Sequence, residues 1–424
     1  MAVGPTAAGF SLPPKARQAY RRRQLSRVMK LLFLINGSER SAAAHRADAF
    51  IERLPRDWTI QSCYRPARKW KGIPPFARTA LRFRPDIVYV MDTAYTGVLA
   101  GCLAQSWTGC RLVTDTGDAA YELAKSSGTY SRGQLALIRW NERLAMRRSD
   151  CVVVRGSYHK ELLEGQGVRR VAFLPDGVDL KAVTPVDAGA LRAALGLAGS
   201  LVVGVIGTMA WSARHRMCYG WDAVEALGLL KEAPVKALLV GDGDGRALLE
   251  ARARELGVAD RIIFAGAQPF HRLPEYIGAM DACLSTQSND VVGRVRTTGK
   301  LPLYLACGKY VIASDVGEAS RVLPGVGCLL PYRGVRDEEH PARVAQHLRA
   351  LRADPGPLRC TEQARQIAAD HFDYDLLAGR LERLCCELVS PSFPIPGLEN
   401  AGKVEQRQRQ KRGAGSEGRS RTAR

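Results

Sequence analysis

The chain has 424 residues, of which 46% are apolar and 25% are charged. This length and balance are typical of a globular protein with two or three domains, and they exclude a collagen-like or largely disordered chain. The apolar runs at 28–35 and 98–104 are far too short to cross a bilayer.

The N-terminal region does not have the form of a signal peptide, because no apolar run of adequate length follows its basic residues before Val28. The eleven cysteines include no C-x-x-C pair, which argues against a disulfide framework or a zinc cluster. The histidines also lack metal-ligand spacing. We therefore expect a cytoplasmic protein, either free or peripheral at the inner membrane surface, with no metal and no cofactor.

Positive charge is concentrated at the two ends of the chain. The formal net charge is +20; residues 1–30 carry seven Lys or Arg and no acid, and residues 397–424 carry eight Lys or Arg against three acids. We predict disordered tails at 1–27 and 391–424. They act either as solubilising segments or as contacts with an anionic membrane. Nucleic acid is a less favoured partner, because aromatic and basic residues are not interleaved along the strands.

The first half of the chain alternates between strands and helices. Short β-branched runs indicate strands, and apolar residues at helical spacing indicate helices. The predicted strands are 28–35, 87–91, 111–114, 151–155 and 171–174, and the predicted helices are 42–54, 98–105 and 135–148.

A connector of low hydrophobicity at 181–198 precedes a second run of the same kind. Its predicted strands are 201–206, 235–240, 262–265, 282–286 and 310–313, its predicted helices are 221–231, 246–256, 273–280 and 301–307, and a helix pair follows at 361–390. The alternation predicts an α/β protein with parallel sheets covered by helices on both faces.

Two such runs predict two doubly wound domains that face each other. We place the first domain at 28–182, and the second, which includes the terminal helices, at 183–390. Ligands of open α/β sheets bind beyond the carboxyl ends of the strands, which here means the cleft between the domains.

The segment 297–318 is the most informative part of the sequence. Gly299 and Lys300 open a predicted helix that Gly308 ends, and a short buried strand follows. A glycine and a lysine at a helix start suit a phosphate, because free N–H groups and an ammonium attract the anion. An ordinary loop, helix and strand with a surface lysine is the alternative interpretation.

An ordered set of motifs carries a family resemblance. The motifs are Pro-Asp-Gly-Val-Asp at 175–179, a strand ending at 204–208, Leu-Leu-Val-Gly-Asp-Gly at 238–243, Phe-Ala-Gly at 264–266 and the segment 299–314. Together they resemble the retaining glycosyltransferases of family 4, over roughly residues 28–385. The resemblance implies the glycosyltransferase-B fold, which has two Rossmann-like domains. It also implies transfer of a sugar from a nucleoside-diphosphate sugar to a hydroxyl acceptor, with retention at the anomeric carbon.

In this family the second domain holds most of the donor, and cations stabilise the leaving diphosphate. The resemblance therefore gives Lys300 a catalytic as well as a binding role. The candidate donor-binding residues are Gly207, Thr208, Arg214, Arg216, Gly241, Thr298, Gly299 and Lys300.

The sequence departs from the family at two places. Cys218-Tyr219-Gly220 stands where many members have a Lys-Gly pair, and the positions of the paired glutamates hold Val295 and Leu303, which cannot bind a sugar or a ribose. Donor binding must then differ, or depend on nearby polar residues such as Asn289, Asp290, Arg294 and Arg296. A catalytically impaired binding or scaffold protein is the alternative function.

A carboxylate cluster follows the strand at 111–114 in the first domain. Asp115 and Asp118 are candidate catalytic residues that would orient or deprotonate the acceptor hydroxyl. The alternative role for Asp118 is to cap the following helix. Candidate acceptor-side residues are Asn36, Gly37 and Ser38, in the turn after the first strand, and Glu122; a plain strand-to-helix turn is the alternative for the first three.

Overall fold

A computed structural model of the chain describes residues 28–390 apart from 40, 67, 232 and 233. The tails predicted at 1–27 and 391–424 therefore lie outside the described residues. Within the described residues the strands form two six-stranded sheets, one in each half of the chain.

The first sheet is parallel throughout and has the order β2-β1-β3-β4-β5-β6. Its inner strands β3 and β5 are buried and largely apolar along their whole length because helices cover both faces. The strands are β1 (Lys30–Ile35), β2 (Thr59–Tyr64), β3 (Ile87–Met91), β4 (Arg111–Thr116), β5 (Cys151–Val154) and β6 (Val171–Phe173).

Six helices connect these strands. The longest of them begins at a capping box, in which the Ser131 side chain accepts from the backbone N–H of Gln134 and the Gln134 side chain accepts from that of Ser131. The helices are α1 (Ala42–Ile51), α2 (Ile73–Phe83), α3 (Tyr95–Thr108), α4 (Ala120–Ser127), α5 (Arg132–Arg148) and α6 (Ser157–Gly165).

The second sheet is also parallel, in the order β12-β11-β10-β7-β8-β9. Counted from its first strand this is the 3-2-1-4-5-6 order of a Rossmann sheet, with the switch point between β7 and β10. The strands are β7 (Leu201–Ile206), β8 (Val235–Val240), β9 (Ile262–Gly266), β10 (Ala282–Ser285), β11 (Tyr310–Ser314) and β12 (Gly327–Leu330).

The helices of the second half cover both faces of this sheet. They are α7 (Gly189–Ala194), α8 (Trp221–Gly228), α9 (Arg246–Glu255), α10 (Leu273–Gly278), α11 (Val291–Arg294), α12 (Lys300–Ala306), α13 (Ala319–Val322), α14 (His340–Ala353) and α15 (Thr361–His371), and α16 (Tyr374–Val389) ends the described chain. The predicted fold of two doubly wound α/β units is confirmed. The glycine that was predicted to end α12 is confirmed too, because Gly308 has φ +68°.

Sequence patterns missed β2, β12, α2, α6, α11, α13 and α14. β2 is an edge strand that reads Thr-Ile-Gln-Ser-Cys-Tyr and is only partly buried, so it has no apolar run. α2 begins Ile-Pro-Pro, which looks like a loop although proline is tolerated in a first helical turn. The predicted connector at 181–198 also contains α7.

The last helix packs on the first half of the chain. Leu377, Leu381 and Leu388 of α16 are fully buried in one apolar cluster with Phe33 of β1 and Phe50 of α1. The prediction assigned both terminal helices to the second domain. That assignment is wrong for α16, because a leucine stripe on an amphipathic helix does not specify which sheet it covers.

The chain therefore crosses between the halves twice, and the two crossings lie side by side. The N–H of Val178 donates to the Phe372 carbonyl at 2.8 Å, and the N–H of Tyr374 donates to the Val178 carbonyl at 3.1 Å. This small parallel bridge joins the segment leaving the first sheet to the segment returning to it.

Close backbone approach at the carboxyl ends of β7 and β8 depends on glycine. Gly241 has φ +145°, and a Cβ added there would lie 1.9 Å from the Gly207 carbonyl oxygen. Gly207 itself has φ +138°, and its N–H donates to the Val240 carbonyl at 3.0 Å. The two loops can meet at the rim of the cleft only because neither residue carries a side chain.

Gly241→Ala should lower the free energy of unfolding by about 2 kcal/mol or more, through backbone strain and the clash with the Gly207 carbonyl. Gly133→Ala is the matched control, because Gly133 lies in α5 and a Cβ there would meet nothing within 4 Å. Gly133→Ala should leave the free energy of unfolding unchanged or raise it slightly. Urea unfolding of both variants measures the difference, and equal losses would contradict the argument.

Candidate active site

The carboxyl ends of the two sheets face each other across a cleft of about 570 Å³. The first half contributes Gly117, Asp118, Arg155 and Asp176 to its wall. The second half contributes the ends of β7 and β8, the loop after β9, and the segment from Arg296 to Leu303. This position, beside the switch point between β7 and β10, is where open α/β sheets bind ligands.

Lys300 is the central cation of the cleft. It is only 8% exposed, and its Nζ atom has no hydrogen-bond partner among the described residues. Burial lowers the pKa of Lys300 from the ordinary 10.5 to about 7. An ammonium in such a place gains strongly from an anion that enters the cleft.

The Tyr219 ring supports this ammonium from one side. Its centroid is 3.2 Å from Lys300 Nζ, which is a close cation–π contact. Tyr219 belongs to the Cys-Tyr-Gly step at 218–220, so a lysine at the start of α12 contacts a ring from the loop before α8.

Five further donor candidates lie together around Lys300: Gly207, Thr208, Gly241, Thr298 and Gly299 all line the cleft. A Cβ added at Gly207 would lie 3.8 Å from Lys300 Nζ, so the glycine keeps the space beside the ammonium open. Arg214 and Arg216 do not join them. Both arginines are exposed, and neither lines the cleft.

Asp118 lies in the wall opposite Lys300 and forms an ion pair with Arg296 of the second half. It does not cap α4, whose N-cap is Ala119 with no side-chain cap. The carboxylate is 42% exposed, so it remains accessible from the cleft. Its catalytic role stays a prediction.

Asp115 lies behind the cleft wall and is fully buried. Its carboxylate accepts from Arg46 Nε at 3.0 Å, from Arg155 Nε at 3.0 Å and from the Tyr89 hydroxyl at 2.8 Å. Burial alone would raise the pKa of Asp115, but the charges of Arg46 and Arg155 outweigh it and hold the pKa below its ordinary value. Every donor to Asp115 is a protein group, so its contacts are those of a positioning residue.

The sequence analysis did not identify Arg155, whose side chain belongs to this buried cluster and also lines the cleft. Arg155 also forms ion pairs with Asp92 at 3.0 Å and with Asp176 at 3.7 Å. The available signal was its place directly after β5, at the carboxyl end of a strand.

The predicted acceptor-side residues do not line the cleft. Asn36 is buried, donates to the Met91 and Asp92 carbonyls at 3.0 and 2.7 Å, and accepts from the Gly97 N–H at 2.9 Å. Gly37 is buried beside Ser41, and Ser38 is exposed. Glu122 pairs with Lys125 on α4 at 3.7 Å.

The two halves are in direct contact along one edge of the cleft. Glu318 is 4% exposed and accepts from the backbone N–H and the hydroxyl of Ser157. The Thr297 hydroxyl donates to the Arg155 carbonyl. A Cβ at Gly156 would lie 2.2 Å from the Val295 carbonyl oxygen, so the backbones meet there.

Val295 and Leu303 differ in their surroundings. Val295 is completely buried behind the interface, whereas Leu303 lines the cleft and is 9% exposed. Leu303 therefore gives the cleft an apolar stretch of wall. The side chain of Glu318 binds Ser157, and Glu318 does not line the cleft.

A second cavity of about 560 Å³ adjoins the cleft and shares Thr208, Tyr219, Arg296, Thr298 and Lys300 with it. Most of its wall is apolar, and the polar groups in it hydrogen-bond to each other, as Ser212 Oγ and His215 Nδ1 do at 2.7 Å and as Gln287 and the Gly293 carbonyl do at 2.9 Å. Burial raises the pKa of Asp222 in this wall to about 6. The apolar and aromatic residues that line it include Leu123, Trp211, Met217, Tyr219, Leu284, Val292 and Tyr332.

The described residues hold neither a metal-binding cluster nor a helix that could span a membrane. No group of three or more His, Cys, Asp or Glu side chains there is placed to hold a metal ion. No helix among those residues has the length and apolar character that crossing a membrane requires.

Two family models match the sequence. The model described as "Glycosyl transferase 4-like domain" matches residues 16–177, and the model described as "Glycosyl transferases group 1" matches residues 200–354. The chain is a glycosyltransferase family 4-like protein. The two matches coincide with the two doubly wound halves, so the family resemblance of the motifs is confirmed at this level.

Relatives with assigned reactions are similar to this glycosyltransferase over much of its length. The 2-deoxystreptamine glucosyltransferase of Streptomyces kanamyceticus is 27% identical over 314 residues, which cover 70% of this chain and 76% of the relative. The 2-deoxystreptamine N-acetyl-D-glucosaminyltransferase of Streptomyces fradiae is 30% identical over 256 residues, which cover 57% of each chain.

Solved structures share the fold. Anabaena HepE in complex with UDP and glucose has a TM-score of 0.64 at 19% identity, covering 84% of this chain and 99% of HepE. Sucrose-phosphate synthase from Thermosynechococcus elongatus has a TM-score of 0.66 at 17% identity, covering 85% and 99%. The glycosyltransferase-B fold is thereby confirmed.

Asp115→Asn should lower the free energy of unfolding by about 3–5 kcal/mol, because it leaves two buried guanidinium groups with less compensating charge. The pKa of Asp115 is lowered in the folded protein, so its contribution is present at neutral pH and is lost as the pH falls below about 4. Asp118→Asn is the control. It weakens the partly exposed ion pair with Arg296 and should lower the free energy of unfolding by about 1 kcal/mol or less. Urea unfolding at pH 7 compares the two, and equal losses would contradict this division of roles.

Proposed function

We propose that this glycosyltransferase moves a sugar from a nucleoside-diphosphate sugar to a hydroxyl acceptor, with retention of configuration at the anomeric carbon. The observation that carries the proposal is the buried ammonium of Lys300, which has no hydrogen-bond partner among the described residues and faces the cleft. Burying an unpaired cation is costly, and a diphosphate supplies the missing countercharge.

The surroundings of Lys300 suit a diphosphate in shape as well as charge. Gly207 leaves room beside Nζ, and Thr208 and Thr298 bring hydroxyl groups to the same wall. We place the two phosphoryl groups between the end of β7 and the start of α12. Gly241 then borders the base, on the far side of the cleft from Asp118.

The proposed chemistry depends on charge that develops in the transition state. As the bond between the sugar and the diphosphate breaks, negative charge grows on the leaving oxygen and positive charge on the sugar ring. Lys300 stabilises the leaving group electrostatically. Asp118, opposite Lys300, orients the acceptor hydroxyl, and Arg296 holds that carboxylate in place across the domain boundary.

The resemblance to retaining family 4 enzymes supports retention, and the relatives support a hexose donor. Two relatives are named as a glucosyltransferase and an N-acetyl-D-glucosaminyltransferase, and HepE was solved with UDP and glucose. We therefore propose a UDP-hexose as the first donor to test. The anomeric proton coupling of the product in an NMR spectrum reports whether configuration is retained.

A catalytically impaired binding protein is the second candidate, because Val295 and Leu303 stand where the family has glutamates. Offering the purified protein a panel of nucleotide sugars distinguishes the two. An enzyme releases nucleoside diphosphate slowly even without an acceptor, whereas a binding protein takes up the nucleotide sugar and releases none.

Lys300→Ala should lower the turnover number by about 100-fold or more, because the leaving diphosphate loses its principal countercharge. Release of nucleoside diphosphate from the best donor of the panel measures the effect. Lys160→Ala is the matched control, because Lys160 is partly exposed on α6 and pairs only with Glu164, at 2.9 Å. Turnover of Lys300→Ala within a few-fold of the wild type would overturn the assignment.

Affinity for UDP should fall as the pH rises above about 7. The pKa of Lys300 is about 7 in the protein without ligand, so above that pH most molecules must take up a proton before the ammonium can pair with a diphosphate. We expect the Kd for UDP to rise up to about tenfold per pH unit between pH 7 and 9. Isothermal titration in buffers of different ionisation enthalpy should detect proton uptake, which Lys300→Met should abolish.

A further inference from the structure

The outward side of α5 is unusually basic and aromatic. Arg132, Arg139, Arg143 and Arg147 recur there at helical spacing, and none of them forms an ion pair with a described carboxylate. We call these four arginines, together with Leu137 and Trp140, the arginine face. Leu137 is 56% exposed and Trp140 is 51% exposed.

Acidic side chains neutralise this face only in part. The acid of α5, Glu142, accepts from the Tyr121 N–H at 3.3 Å and interacts with the charge of Arg139, but among the described residues it forms no ion pair with the four arginines. Arginines elsewhere are commonly paired: Arg252, for example, binds Glu225 at 2.8 Å, and Arg343 binds Asp337 at 2.9 Å. The charge of the arginine face is therefore available to an external partner.

A groove of about 530 Å³ runs along the arginine face. Its wall combines all four arginines with Tyr121, Leu135, Trp140 and Leu144. Guanidinium groups bind phosphate oxygens through paired N–H donors, and they suit this anion better than an ammonium does. The groove thus joins phosphate-binding donors to apolar and aromatic walls.

We propose that the arginine face docks this protein on an anionic phospholipid bilayer. Trp and Tyr side chains favour the boundary between headgroups and acyl chains, and arginine extends its charge to the phosphate layer while its stem stays in apolar surroundings. A helix with this composition lies in the plane of the interface.

The arginine face is separated from the proposed active site by one helix. Tyr121 of α4 lines the groove, while Leu123 and Ser126 of the same helix line the apolar cavity beside Lys300. Docking would therefore hold that cavity close to the bilayer surface. The proposal itself does not depend on the sugar-transfer reaction.

Sedimentation with vesicles tests the proposal on the full chain. We expect the wild type to bind vesicles of phosphatidylcholine with 30% phosphatidylglycerol and not vesicles of phosphatidylcholine alone. Arg139→Glu with Arg143→Glu should lower the partition coefficient by about thirtyfold or more, since each arginine near an anionic surface contributes substantially. Every variant keeps the basic segments 1–27 and 391–424, so any attraction of these segments to the vesicles is the same in all of them.

The matched control is Arg380→Glu with Arg383→Glu on α16. That helix covers the opposite face of the first sheet, because α16 packs with α1 whereas Ala145 of α5 packs with α2 and α3. The control should bind nearly as the wild type does. Equal losses in the two double variants, or unchanged binding of Arg139→Glu with Arg143→Glu, would overturn the proposal.

Quenching by lipids brominated in their acyl chains gives a second readout. The wild type should lose tryptophan fluorescence on anionic vesicles, and Trp140→Phe should lose markedly less. Binding to a DNA duplex without binding to anionic vesicles would overturn the proposal in favour of nucleic acid. Thermal unfolding and donor turnover of each variant check that its fold is intact.

Discussion

The buried carboxylate of Asp115 is the contact on which the cleft depends. It joins Arg46 of α1, Tyr89 of β3 and Arg155 after β5, so three segments far apart in sequence meet at one group. Arg46 also donates to the Leu174 and Pro175 carbonyls at 2.7 Å, where the chain leaves the first sheet. Removing this charge would disturb both the wall of the cleft and the exit of the chain.

The same cluster positions the second half. The Arg155 carbonyl accepts from Thr297, and Gly156 meets the backbone at Val295. Thr297 lies three residues before Lys300, so the segment that carries the ammonium is held against the first half. A charge network in one domain thereby fixes the distance across the cleft. Lys300 itself has no such partner, which leaves its charge for the ligand.

The fold could be predicted from the sequence, and so could the position of Lys300 in the cleft wall, because both depend on local sequence patterns. Alternating strands specify parallel sheets, and Gly299-Lys300 marks a helix start at the cleft. Arg214 and Arg216 were misleading, since loop arginines near a site point outward as readily as inward. The Asp115 cluster and the packing of α16 depend on long-range contacts, and no spacing in the sequence specifies those.

The double crossing between the halves has a consequence for the topology of the protein. The first domain is discontinuous, because its core needs α16 from the far end of the described chain. Cutting the chain after Val178 would leave an apolar surface on β1 and α1 bare. A circular permutation that links α16 directly to the start of β1 would keep that surface covered within one continuous domain.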